Sequence, residues 1–167
     1  MKSFTLTLLS LFLVACSTVT PQQMKKEIVG FNLPYAPEKG EGMIYVVRPS
    51  PLGYAVRFNV FLDDENSTSE MGWNRGSQYI YFFVKPGDHN LYSVAENTAE
   101  LKVNVKEGET VFVRQDSSIG FIMARNSLQE IDEVEGQYNV MKLDKGNVIQ
   151  KRKVDSNTSR LPAAAAD

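Results

Sequence analysis

From Met43 to Ala124 the chain is a succession of short runs rich in Val, Ile, Tyr and Phe, each stopped by Pro, Gly, Asn or Asp. Runs this short cannot supply the three-and-four spacing of a packed helix, whereas alternation over five to eight residues suits a half-buried strand. Strands are expected at 43–48, 55–62, 78–84, 88–95, 100–106 and 110–115, with weaker segments at 68–73 and 120–124. Between them stand Pro49-Ser50-Pro51, Asp63-Asp64-Glu65-Asn66 and Asn74-Arg75-Gly76. Pro86-Gly87 fits the centre of a type II turn, and Glu107-Gly108-Glu109 reads as a hairpin. Strand-helix-strand alternation is absent. The fold class expected is all-β, an antiparallel β-sandwich of about seven to eight short strands. One helix is expected within 126–143, where Leu128, Ile131, Val134 and Tyr138 recur at helical spacing around a weakening Gly136.

A second feature lies ahead of these strands. Met1-Lys2 supplies a positive start, residues 4–15 are mostly apolar, and Leu13-Val14-Ala15-Cys16 follows. A bilayer-spanning helix needs roughly 20 apolar residues, so this run has the length of a cleavable signal peptide. Its end resembles the lipobox of bacterial lipoproteins: Leu at −3, small residues at −2 and −1, then Cys. The resemblance implies cleavage between Ala15 and Cys16 and a diacylglyceryl group on the Cys16 sulfur. Two or three acyl chains hold a protein stably where one would not. Ser17, in place of an Asp, resembles the outer-membrane default. The expected address is therefore the bacterial cell envelope, at the outer membrane, facing the periplasm or the surface.

Removing residues 1–15 takes away Lys2 and leaves 152 residues with 17 basic and 20 acidic side chains, a net charge of −3. That length suits one domain with a real core. A mildly acidic chain gives no electrostatic footing for nucleic acid. Cys16 is the one cysteine, so the mature chain has no disulfide and no CxxC motif. Residues 16–42, with Pro21, Pro34, Pro37, Gly30, Gly40 and Gly42, read as an acylated tether reaching roughly 25–30 Å. Within it Ile28, Val29, Phe31, Leu33 and Tyr35 form a stripe that can also lie against the domain. The β-domain is expected over 43–145, and the polar stretch 146–167 reads as a disordered tail.

The order of motifs resembles a family of small bacterial lipoprotein domains of unknown function, which characteristically read IYxxRP, LDG, PGxH and GxxYFvR. Here these stand as Ile44-Tyr45-Val46-Val47-Arg48-Pro49, Leu62-Asp63, Pro86-Gly87-Asp88-His89 and Gly108-Glu109-Thr110-Val111-Phe112-Val113-Arg114. Asp64 replaces the Gly, Glu107 stands near a usual small residue, and Val111 replaces the Tyr. The resemblance spans about residues 43–140. It implies a β-sandwich and carries no catalytic residues.

Few side chains could carry chemistry. His89 is the one histidine, and no GxSxG elbow accompanies it; after PGx it is placed to cap backbone groups. One His with carboxylates alone is a poor zinc set. Asp63-Asp64-Glu65 lacks the spacing of a calcium loop. No catalytic residue, metal or cofactor is expected beyond the covalent lipid on Cys16. The segment Tyr79-Ile80-Tyr81-Phe82-Phe83-Val84 is apolar on both faces. It is either covered on both sides, or it displays Tyr79, Tyr81 and Phe83 as a binding ladder for a glycan or an envelope protein. Trp73 is either a core plug or a rim contact. The expected role is a membrane-anchored, non-catalytic binding or scaffolding domain. The alternatives are an envelope hydrolase with an unrecognised site and an accessory subunit of a membrane assembly.

Overall fold

Alternation sorts the side chains of each strand onto two faces, and the computed structural model, which describes residues 19–153, shows both faces in use. Cys16, Ala15 and the apolar run before them lie outside the described residues, as do residues 154–167 of the expected tail. The elements are α1 (Pro21–Glu27), β1 (Gly42–Arg48), β2 (Phe58–Leu62), β3 (Glu70–Asn74), β4 (Gln78–Val84), β5 (Gly87–Val94) and β6 (Thr98–Val105). They continue with β7 (Thr110–Ile119), β8 (Ala124–Ile131), α2 (Glu133–Lys142), β9 (Asp144–Lys145) and β10 (Asn147–Val148). The first sheet has the order β8-β7-β1-β4-β9 and the second β10-β3-β2-β5-β6. The fold is an all-β sandwich of two five-stranded sheets with two short helices.

Ile44 and Val46 of β1, Ile80, Phe82 and Val84 of β4 and Val111 and Val113 of β7 meet Val60, Leu62, Leu91, Val103 and Val105 between the sheets. The opposite face of the first sheet carries Met43, Tyr45, Val47, Tyr79, Tyr81, Phe83 and Phe112, and it is buried as well. This explains why β1 is apolar at nearly every position instead of alternating. The pairing is also less uniform than expected. β1 and β4 are antiparallel, but β1–β7 and β4–β9 are parallel. Glu107-Gly108-Glu109 does turn, with Gly108 at φ 75° and Glu109 N–H donating to the Lys106 carbonyl. It joins strands of opposite sheets, however, and so makes no hairpin. Pro86-Gly87 likewise carries the chain from one sheet to the other.

Three expectations about boundaries are corrected, the first by packing onto that second face and the others by strand pairing. Residues 19–41 are no loose tether. Thr20 caps α1 through a reciprocal pair with Gln23, and Glu27 pairs with Lys142 of α2 at 2.7 Å. Beyond α1, Phe31, Leu33 and Tyr35 lie on the aromatic face. Tyr35 stacks on Tyr81 with ring centroids 3.9 Å apart. The Tyr45 hydroxyl donates to the Tyr35 carbonyl at 3.0 Å and accepts from its N–H at 3.1 Å. Burial raises the Tyr45 phenol well above its ordinary pKa, which preserves it as a donor.

The polar stretch from 146 is ordered at least to residue 153. β10 pairs with β3, Phe83 N–H donates to the Lys151 carbonyl, and Arg152 grips Glu41 with two bonds of 2.6 and 2.7 Å. The helix expected over 126–143 begins only after Asp132, whose carboxylate caps it at Glu135 N–H. Residues 124–131 pair with β7 through eight residue pairs. Leu128 enters the core between the sheets and Ile131 the outer one, the opposite faces that a three-residue separation gives in a strand.

Gly136 has a packing reason. A Cβ there would overlap the Phe112 ring, so the glycine lets α2 approach β7 closely. Helix propensity alone would make Gly136→Ala stabilising by about 1 kcal/mol. Overpacking predicts the reverse sign, a loss of about 1–3 kcal/mol in denaturant unfolding. A stabilised Gly136→Ala variant would show that α2 can retreat from the sheet.

Candidate functional site

The aromatic ladder is not a surface. Tyr79, Tyr81 and Phe83 are at most 7% exposed, covered by Phe31, Leu33, Tyr35 and Leu143. The binding role expected of that face is therefore corrected, because the chain uses it as a second core. Trp73 remains half-buried on the outer face of the second sheet, with the guanidinium groups of Arg57 and Arg75 at 5.7 and 5.4 Å from its ring. Stacking two cations on it makes it a rim residue.

At one end of the sandwich, the turn after β2 and the start of β5 bring together Asp63 and His89, which belong to separate motifs of the sequence. Asp63 sits at φ 67° and its carboxylate lies 3.0 Å from His89 Nδ1. His89 Nε2 faces the Lys85 carbonyl at 2.7 Å. Both ring nitrogens thus meet acceptors, and both bonds are complete only when both nitrogens carry hydrogen. A cavity of about 260 Å³ opens beside them, lined also by Glu41, Phe83, Arg152 and Lys153. Its charges are engaged in holding the chain's late segment. Lys153 donates to Asp64 and to the Leu62 carbonyl at 2.8 and 2.9 Å, and Arg152 reaches Glu41 and Glu38. Arg152 depresses the Glu41 carboxyl, and Lys153 depresses Asp64 far below the usual carboxylate range. No serine, threonine or cysteine lines this cavity among the described residues. No cluster of three or more His, Cys, Asp or Glu among the described residues could hold a metal.

The opposite end is different in kind. The turn joining β7 to β8 carries Ile119 (89% exposed), Phe121 (96%), Ile122 (83%) and Met123 (61%). Beside it the loop after β1 adds Leu52 and Tyr54, both more than half exposed. This apolar tip is built, not loose. Glu96, in the β5–β6 turn, accepts from the backbone N–H groups of Phe121, Ile122 and Met123 at 3.1, 2.8 and 2.8 Å. Asn97 bonds the Asn126 backbone on both sides, donating to its carbonyl and accepting from its N–H. Beneath, Gln115 and Asn126 both donate to the Ser93 hydroxyl, tying the sheets together.

Arg48 holds the neighbouring loop. It is fully buried, its head group donating to the carbonyls of Val56, Leu52 and Gly53 over the Phe58 ring. Ser117 donates to the Leu52 carbonyl and links that loop to β7. The Arg-Pro pair ending β1 was a visible signal of such a loop organiser. The apolar tip was missed because 120–124 reads as a strand. Its one glycine, Gly120, is the turn signal that could have found it.

No family model matches the chain. A Haemophilus influenzae protein described as uncharacterized is 27% identical over 136 residues, covering 81% of this chain and 78% of its own length. That likeness carries no activity to this chain.

Three N–H donors, Met123 first, hold the Glu96 carboxyl at about 2 against an ordinary 4.5. A depressed carboxylate stabilises its fold above the unfolded value and ceases to do so as pH falls through the folded one. The tip is therefore expected to stay clamped above about pH 4.5 and to loosen as pH falls toward 2. Glu96→Ala should loosen it at neutral pH and remove the loosening on acidification. Amide exchange at residues 121–123 measures this; unchanged protection in the variant would show that the turn holds itself.

Proposed function

We propose that this chain is a bacterial envelope lipoprotein, acylated at Cys16 after cleavage behind Ala15, and that its sandwich is a non-catalytic binding or scaffolding domain. The lipobox supports the anchor. The observation that carries the binding role is the apolar tip at 119–123, since bulky apolar side chains this exposed on an otherwise polar surface mark contact sites. The motif order supports kinship with the lipoprotein domains of unknown function that it resembles. An outer-membrane address rests on Ser17. A glycan is no longer favoured as partner, because the aromatic face that suited it lies inside.

The anchor geometry also changes. Thr20 already caps a packed helix, and the four residues from Cys16 to Thr20 reach at most about 14 Å. In this reading the domain sits directly against the bilayer instead of swinging on a tether.

The hydrolase alternative gains one feature and loses another. Asp63–His89 resembles two members of a triad. The nitrogen that would activate a nucleophile instead faces the Lys85 carbonyl, and the adjacent cavity presents no hydroxyl. A Cys16→Ser variant should lose lipid labelling and accumulate as unprocessed precursor; normal processing and membrane retention would sink the anchor. Phe121→Ser should leave thermal stability within about 0.5 kcal/mol, as expected for an exposed site. A loss well beyond that would make the tip part of the fold's own packing.

A further inference from the structure

The tip is apolar and exposed, and a shallow recess of about 280 Å³ separates it from Leu52. Ile119, Phe121, Ile122 and Met123 project from the end of a hairpin, with Leu52 and Tyr54 beside them. A protein partner would need a recess shaped to receive it, whereas a fluid apolar phase takes any such shape. Three features favour the fluid phase.

The first is hydrogen bonding. In a bilayer, unpaired backbone N–H groups cannot turn to water, so a segment that enters must satisfy them internally. The N–H groups of Phe121, Ile122 and Met123 are satisfied in advance by Glu96.

The second is charge. Arg57, Arg75 and Arg125 lie exposed around this end of the sandwich, on a chain whose formal net charge is −2. Glu96 is occupied by the turn and lies 3.6 Å from Arg125, and Asp116 further down β7 is paired with Arg114 at 2.8 Å. Arg125 stands in the tip's own hairpin, and Arg57 and Arg75 lie over Trp73 on the second sheet, so cations share this end with the apolar side chains and complement anionic headgroups over acyl chains.

The third is position. α1 starts beside Asp132 and Glu133, at the far end of the β7–β8 hairpin from the tip. The eight residue pairs between them span about 24 Å. A chain held at Cys16 by lipid, on a leash of at most about 14 Å, therefore keeps the tip within about 40 Å of its anchor.

We infer that the tip formed by residues 119–123, with Leu52 and Tyr54, inserts into a lipid surface bearing anionic headgroups. The inference rests on the proposed binding role of the tip, and it does not require the lipid on Cys16. Tip insertion and the acyl chains would together fix the domain's orientation, which a single acylated terminus leaves free.

The test uses residues 17–167, which contain every residue of the described fold and none of the apolar run 4–15. This chain should float with vesicles of phosphatidylethanolamine and phosphatidylglycerol, and at least tenfold less with phosphatidylcholine alone or at high salt. Phe121→Ser with Ile122→Ser should abolish flotation while the melting temperature is unchanged. Arg57→Gln with Arg125→Gln should weaken flotation several-fold and flatten its salt dependence. Absence of flotation with phosphatidylglycerol vesicles, or equal flotation of the Phe121→Ser, Ile122→Ser variant, overturns the insertion. A photoreactive group at position 121 in cells then separates the two readings. Crosslinking to a protein or to a second copy leaves the tip a docking site and excludes lipid as its occupant. No crosslink from 121 alongside absent flotation removes the docking role too.

Discussion

Two apolar faces on the β1–β4 pair oblige the chain to build more than a sandwich. Tyr45 lies opposite Tyr81 in that pairing, and their rings, with Tyr79, Phe83 and Phe112, form a second core on the side away from the other sheet. Leaving such a surface wet would forfeit burial worth roughly 1.5–3 kcal/mol for each large side chain. Residues 31–35 and α2 are drawn onto the first sheet for this reason, while the segment 147–153 bridges β3 and Phe83. The Tyr45 hydroxyl completes the arrangement by bonding both the N–H and the carbonyl of Tyr35, so the covering segment leaves no unpaired backbone at that point.

That same covering divides the molecule into two unlike ends. One gathers the ion pairs that pin residues 152 and 153 beside Asp63 and His89. The other carries an apolar turn over a polar girder of Glu96, Asn97, Gln115 and Asn126. Charges that close a fold are spent on one another: Arg152 is held by Glu41 and Glu38, and Lys153 by Asp64, beside His89. Apolar side chains that the fold does not bury remain available for contact.

Strands whose apolar residues alternate, or that are apolar throughout, were legible at once: β4 falls at its expected limits, and β1 and β5 within a residue of theirs. Legibility failed where a local pattern had two readings. Leu128 and Ile131 fit a helix as well as two faces of a strand, and only pairing with β7 chose between them. Gly136 weakens a helix by propensity, and only the Phe112 ring beneath it supplies the packing reason for a glycine there. Glu107-Gly108-Glu109 was correctly a turn, but no local signal says whether the next strand returns to the same sheet. The prolines and glycines of 30–42 resembled a linker because an extended covering segment has no period of its own.

The amino-acid order alone determined the all-β class, the short strands and their turn residues, because side-chain alternation and backbone restrictions act within a few residues. It also carries Leu13-Val14-Ala15-Cys16, the local motif on which the proposed anchor rests and which needs no fold to be read. Which of the two faces of Tyr79–Val84 would be covered, and by what, was decided only in three dimensions. Burial depends on segments 45 residues away in one direction and 60 in the other, whose arrival no local pattern encodes. The exposure of Phe121 and its neighbours was decided in the same way: Glu96 and Asn97 hold that turn from the opposite sheet, leaving its side chains facing outward.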